Sequence, residues 1–382
     1  MLQVQEYLRS GKTFNDLNVE LGIHATLHNE LPLVILNYDQ IESRPKSHPI
    51  VRECRALVLH TKTYEVVARS FYRFFNWGEM PEEMETFDFT NSYASDKEDG
   101  SLLLIYWFED ADHAGRWMAH TRGSFNMGLK LNATPYTWQD IIYQALGVKS
   151  LDELELDKAY TYICELCSIY NKVVRKYPTP TAFLLSVFEG LRELWYDEAD
   201  VLCNPRHFVR VGRREFKSID DIVNYLTECE STDPTYEGIV GCCPTGRFKF
   251  KNKTYLALHK MRENLFHPKH LLPFILSGET SELLCYYPEV DFVLREYEKV
   301  VQQAFEVLLG VWRENHKIED QKTFALAIVK KTPFSSILFE LKREFGINQE
   351  ERHLKHAWRH AGDRILKTLF RHIPDLDLEQ PR

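Results

Sequence analysis

No run of eighteen apolar residues occurs anywhere in the chain, so the sequence offers no candidate membrane-spanning helix. Met1–Thr13 lacks the basic-then-apolar pattern of a secretory signal, and a cytoplasmic address (the host's, if the chain is viral) is the expectation. Cysteine is sparse and unorganised. The eight residues are scattered and read as reduced thiols, not as a disulfide framework. Cys164 and Cys167 have the spacing of half a zinc site, but strand residues three apart face opposite sides, and the adjacent Cys242 and Cys243 diverge as well. There is no internal repeat, no low-complexity tract and no global positive charge. The formal charge of −9 means that any nucleic-acid partner must be held by local patches. Residues 260–382 balance in charge, so the whole deficit lies in residues 1–259. The length of 382 residues suits two domains with a large core.

Against that background the most informative stretch is Lys97-Glu98-Asp99-Gly100-Ser101. It runs into Leu102–Phe108, an apolar and aromatic segment that reads as a buried strand. Extended geometry would put Asp99 on the same face as Lys97, and Gly100 would let backbone approach a ligand closely. A lysine amine is a poor nucleophile near neutrality, because only about one in a thousand is unprotonated at its ordinary pKa. Amine chemistry therefore needs desolvation, neighbouring cations or a metal. Asp99 fits that chemistry only with a divalent ion or its water between the two side chains. On its own the string is also that of a solvated turn.

Other segments add candidates. Asn37-Tyr38 ends an apolar run, where a tyrosine is either structural or a ring face for a base. Arg52-Glu53-Cys54-Arg55 enters the strand Ala56–Leu59, and Arg55 either pairs with an acid such as Glu53 or donates to an anionic ligand. A second strand, Val66–Tyr72, ends in Arg73-Phe74-Phe75-Asn76, and Arg73 there reads equally as a surface cation. Trp117–Thr121 is a strand ending at Arg122. Thr137 caps a helix that Gly147 closes. Glu165 sits inside the buried strand Thr161–Cys167, as a ligand or metal group or in a buried ion pair. A hairpin follows Glu237-Gly238-Ile239-Val240. Its return strand alternates, setting Arg247, Lys249, Lys251 and Lys253 on one face and Phe248 and Phe250 on the other. That face is either a lysine-defended edge or a phosphate site. Beyond His259 the period becomes helical, with a long helix near 290–312. A last helix, Glu350–His372, carries Arg352, Lys355, Arg359, Arg364, Lys367 and Arg371 opposite its apolar side, a solvated face or a local basic stripe.

In order and spacing these segments resemble the covalent nucleotidyltransferase superfamily. More narrowly, they resemble the bacteriophage-type ATP-dependent RNA ligases that repair broken tRNA. Lys97–Ser101 matches the nucleophile motif. Glu53-Cys54-Arg55, Phe74-Phe75-Asn76, Cys164-Glu165-Leu166 with Asn171-Lys172-Val173-Val174, Glu237–Val240 and Lys249-Phe250-Lys251 match the flanking motifs. The resemblance implies ATP with Mg²⁺ (or Mn²⁺), AMP carried on Lys97, and Arg55 and Glu165 at the ribose or phosphates. Asp99, Glu165 and Glu237 would hold the metal, with Lys249 and Lys251 on the phosphates. Tyr38 would contact adenosine, and Tyr255 matches a family tyrosine. The family usually has Lys at Arg73 and Arg122, and Gly at Ala56.

The implied fold is α+β: a mostly antiparallel two-sheet nucleotidyltransferase domain over residues 1–258, then an all-helical C-terminal domain over 259–382 that could bind RNA. The implied substrate is RNA with 5′-phosphate and 3′-hydroxyl ends, such as a nicked anticodon loop, with an end-healing kinase/phosphatase as partner. A monomer is expected. DNA ligases and capping guanylyltransferases share the lysine motif but typically append a β-barrel, and a non-catalytic RNA-binding scaffold would not need to keep the whole set.

Overall fold

Period-2 segments pair into three sheets. The computed structural model describes residues 1–131, 134–171, 174–253, 255, 268–286 and 288–372. The chain separates into two units, Met1–His259 and Lys260–Arg382. Lys172, Val173 and the segment around 258–259 lie outside the described residues.

In the first unit a four-stranded antiparallel sheet orders Ile23–Leu27, Leu33–Tyr38, Arg55–His60 and Val66–Ala68. A second, six-stranded sheet orders Arg192–Glu193, Thr181–Glu189, Tyr160–Cys167, Ser101–Phe108 and Arg116–Thr121, with Val209–Arg210 added in parallel. A third sheet orders Arg213–Arg214, Tyr93–Asp96, Gly238–Cys243, Gly246–Lys251 and Phe75–Asn76. Pairing is mostly antiparallel, as expected, but three hydrogen-bonded sheets replace two. The reason lies in the Val66–Tyr72 run. Only Val66–Ala68 is strand, and the chain then leaves the first sheet and reaches the third at Phe75.

The sheets are held by the faces the alternation specifies. Leu33, Ile35 and Val58 of the first sheet meet Leu102, Leu104 and Tyr106 of the second in one core. The opposite face of the second sheet, with Leu103, Ile105 and Cys164, packs under Ile141, Ile142 and Leu146 of the Trp138–Leu146 helix. Thr137 caps that helix by accepting from the Asp140 N–H, and Gly147 ends it at φ 68°. Phe248 and Phe250 of the third sheet bury against Ile222 and Leu226 of the Ile219–Thr232 helix. A one-residue slip of that strand would expose both rings, costing roughly 3–6 kcal/mol, so the lysines are fixed on the other face.

The N-terminal helices Gln3–Arg9 and Phe14–Leu21, to which the sequence reading gives no role, cover the outer face of the first sheet. Glu53 belongs to this packing. It ends the short Pro49–Glu53 helix and accepts the N–H groups of Gln3 and Val4, at 2.9 and 2.8 Å, capping the first helix. It is therefore not a partner for Arg55. Ala56, at the family's usual glycine, adopts φ 54° and is fully buried. A left-handed alanine costs about 1–2 kcal/mol.

The described regular elements of the second unit are all helices, built on the long Asp291–Asn315 helix, whose Leu294, Val301, Leu308 and Trp312 enter one core. Gln321–Ile328 and Ser335–Phe345 follow. The single last helix expected from Glu350 to His372 is two, Glu351–His360 and Gly362–His372. Ala361 breaks it with φ −93° and ψ 21°. Gly362 resists the helix, while Leu354, Trp358, Ala361, Ile365 and Leu369 keep the apolar period running across the break. The basic stripe is partly paired: Arg352 with Glu350, Lys355 with Glu351 and Arg364 with Glu340. The side chain of Arg371 lies outside the described residues. No described helix is long and apolar enough to cross a membrane.

Candidate active site

Lys97 follows the Tyr93–Asp96 strand, and its backbone N–H donates to the Gly238 carbonyl at 2.9 Å. That bond brings it beside Glu237 at the start of the neighbouring strand. Lys97 Nζ lies 2.7 Å from Glu237 Oε1, and Lys251 Nζ lies 3.3 Å from the same oxygen. One carboxylate oxygen, on a residue only 5% exposed, is thus shared by two ammonium groups. Lys249 and Lys251 alternate with the buried phenylalanines, as the hairpin pattern requires. Lys253 falls beyond the strand end, and Arg247 is neutralised by Glu193 at 2.6 Å, so the expected row of four cations is broken at both ends.

Glu165 comes from the middle of the second sheet, paired with Leu102 on one side and Phe183 on the other. Burial pushes its carboxyl up to about 7 and Glu237 pushes the same way, against the pull of Lys97, Arg55 and the Gly100 N–H. Glu165, Glu237, Lys97 and Arg55 therefore share one electrostatic environment.

A second cluster surrounds Tyr38. The guanidinium carbons of Arg73 and Arg122 lie 4.1 and 4.5 Å from its ring centroid. Burial would raise its phenol, but Arg122, Arg55, Lys249 and Arg73 outweigh it and bring the pKa down to about 8. The ring is 6% exposed and already covered by guanidinium groups, so Tyr38 is not the open face for adenosine that the resemblance implied. Arg73 is 3% exposed, not a surface cation. Its Nη1 and the Nη1 of Arg55 are buried with no hydrogen-bond partner. Buried orphan donors are rare, and two together beside Lys249 suit an anion. Arg122 is fixed by the Asn37 side chain, which also accepts the Ala56 N–H at 2.8 Å.

Asp99 is the main correction. Lys97 and Glu98 lie past the strand end and Asp99–Gly100 form a bend, so the two-residue period does not apply. The Asp99 carboxylate accepts from Val174 N at 2.7 Å, Arg175 N at 2.8 Å and Tyr255 Oη at 3.0 Å. With three donors in place, this buried carboxylate fastens the loop and does not face the lysine as a metal ligand. Tyr255 acts through it. Gly100 has a different reason as well: a Cβ there would stand 2.3 Å from the Leu166 carbonyl, so the close approach is to a strand. Tyr177, unmarked in sequence, donates to Glu98 at 2.6 Å and accepts the Asp99 N–H at 3.0 Å. Phe183 and Leu185, also unmarked, join Val240 in lining the seam between the second and third sheets. Only the register of distant strands makes such residues visible.

Among the described residues no group of three metal-binding side chains occurs. Glu165 and Glu237 still suit Mg²⁺, which commonly takes one or two carboxylates and completes its shell with phosphate oxygens and water.

A baculovirus protein of Autographa californica nuclear polyhedrosis virus, assigned as a bifunctional polynucleotide kinase/RNA ligase, is 30% identical over 322 residues. The match covers 78% of this chain, which spans only 43% of that relative's length. An RNA ligase of Rhodothermus phage RM378 is 23% identical, with 83% of this chain and 86% of that one covered. Among solved structures, an archaeal ATP-dependent RNA ligase is 15% identical with a TM-score of 0.45, over 78% of this chain and 81% of the other. Residues 53–256 match the profile of the RNA ligase family, over more than half of the chain, and the chain belongs to that family.

Proposed function

We propose that this protein is an ATP-dependent RNA ligase that seals a 3′-hydroxyl to a 5′-phosphate. The observation that carries the reading is the Lys97–Glu237–Lys251 group beside the partnerless Nη1 atoms of Arg55 and Arg73. In the first step Lys97 Nζ attacks the α-phosphorus of ATP; a P–N bond forms and the P–O bond to pyrophosphate breaks. Glu237 Oε1 is within reach of the proton that Nζ gives up. Lys249 and Lys251 hold the α-phosphate and the departing pyrophosphate, and Arg55, Arg73 and Arg122 receive the rest of the triphosphate. A divalent cation, Mg²⁺ or Mn²⁺, held by Glu165 and Glu237, would supply charge neutralisation on the phosphate oxygens. The residues thus supply positioning and fixed charge, the main currency of phosphoryl chemistry.

In the second step an oxygen of the RNA 5′-phosphate attacks the AMP phosphorus, the P–N bond breaks and Lys97 regains its proton. The 3′-hydroxyl oxygen then attacks the activated 5′ end and AMP leaves. We extend the reading to a preceding end-healing kinase, because the baculoviral relative is named as a polynucleotide kinase as well as an RNA ligase, and to broken tRNA as substrate, which the motif resemblance implies. Lys260–Arg382 is proposed to engage the RNA. Exposed ion pairs such as Arg352–Glu350 are worth about 0–1 kcal/mol and can yield to phosphate.

The test is incubation with labelled ATP or GTP and a divalent ion. ATP should leave AMP on the peptide containing Lys97, acid-labile and absent from Lys97→Ala. No adduct, an adduct surviving that substitution, or a preference for GTP would overturn the assignment.

A further inference from the structure

Behind the catalytic cleft lies a separate cavity of about 360 Å³, lined by Tyr72, Phe74, Tyr93, Trp195, Arg52 and Arg247 among others. Its volume falls in the range of small-ligand sites, roughly 300–1,000 Å³. Phe74 is the partition. Arg55 and Lys249, both of the proposed phosphate site, lie 5.1 and 5.0 Å from its ring centroid, and Arg247 lies 5.7 Å from it. Arg247, Lys249 and Lys251 alternate along one strand face, so the cavity opens about 13 Å from Lys251 at roughly 3.3 Å per residue.

The charge of this cavity differs from that of the cleft. Arg247 gives two hydrogen bonds to Glu193, at 3.2 and 2.6 Å, and a third to Cys242 Sγ. Arg52 is matched by Glu83 at 2.8 Å. Both arginines are therefore neutralised by carboxylates, whereas the Tyr38 cluster gathers three arginines. A phosphate gains little where each cation already has its anion. A flat, neutral, polar ring gains most, because aromatic side chains, Tyr72 and Trp195 among them, offer stacking surfaces and the ion-paired groups offer hydrogen bonds to its edge.

We infer that this cavity is a nucleobase site for the RNA strand that brings the 3′-hydroxyl. The inference rests on the ligase reading and deepens it: the strand would lay its end at Lys249 and turn a base past Phe74. Adenine of ATP is the other source of such a ring, and the experiment separates the two. Gly246 lines the cavity, and a Cβ built there meets nothing within 4 Å, so Gly246→Trp can fill the space without displacing backbone. Tyr72, 45% exposed at the rim, gives a second variant, Tyr72→Ala.

The full chain is given a pre-adenylylated RNA donor and increasing acceptor RNA, and acceptor binding is read in parallel by fluorescence anisotropy. Both variants should form the Lys97 adduct with the ATP dependence of wild type, while acceptor affinity and KM weaken roughly ten-fold or more. One abasic position near the acceptor end should weaken wild type similarly and add nothing to the Gly246→Trp defect. Unchanged acceptor binding in both variants overturns the inference. So does a shift confined to ATP, which would make the cavity an adenine site. Failure of wild type to form any adduct would count against the ligase reading alone, since acceptor anisotropy still reads the cavity. If Gly246→Trp melts early, Tyr72→Ala decides.

Discussion

Replacing Tyr38 with phenylalanine should remove an alkaline limb from ATP binding. Its phenol stands near 8 in place of the ordinary value near 10, although burial pushes it upward, because Arg122, Arg55, Lys249 and Arg73 favour the phenolate. Two units correspond to about 2.7 kcal/mol between the protonation states. The folded value lies below the unfolded one. The associated stability is thus present in full above about pH 10, declines as pH falls toward 8, and is absent below that. Phosphates of ATP compete for the same cations and should return the phenol to about 10 or above. Proton linkage then weakens ATP about ten-fold per pH unit above pH 8, to a limit of roughly a hundred-fold near pH 10. Calorimetric titration of ATP into Lys97→Ala, which binds without reacting, measures this directly. The profile should flatten in the Lys97→Ala, Tyr38→Phe double variant. Parallel alkaline limbs in the two proteins would refute the cation cluster as the phosphate site.

Gly100→Ala should leave melting within a few degrees but cut Lys97 adenylylation about a hundred-fold. Its Cβ would collide with the Leu166 carbonyl and push the lysine turn aside by about an ångström; a wild-type rate in a quenched-flow assay would show that the turn has slack. Changing Arg352, Lys355, Arg359 and Lys367 together to Gln should weaken binding of a nicked stem-loop and flatten its salt slope, with adduct formation unchanged. An unaltered salt slope would mark the stripe as solvated surface.

The hairpin of the third sheet was legible because its pattern is local: two phenylalanines between lysines admit one register, and Glu237 follows from the strand that pairs with it. The capped helix from Thr137 to Gly147 was legible for the same reason. Arg73 was not. It reads as a cation at a strand end, and only the departure of the chain from the first sheet after Ala68 buries it against Tyr38. Asp99 misled because two-residue spacing suggests a shared face, whereas its partners at Val174, Arg175 and Tyr255 are set by tertiary structure. The break at Ala361 was hidden by an apolar stripe that stays in phase across it. The cavity behind Phe74 has no sequence signature, since its walls come from five separate segments.

The Asp99 clasp also bears on the order in which the protein can mature. Its carboxylate joins backbone 75 and 76 residues downstream and a tyrosine 156 residues downstream. Contacts of such separation carry a loop-closure cost and form late, after the local hairpins around them. A nascent chain that has not yet emerged through Tyr255 holds a lysine turn short of one of its three fastenings. On the proposed reading, the lysine turn has all three fastenings only once the first unit has been synthesised almost to its end.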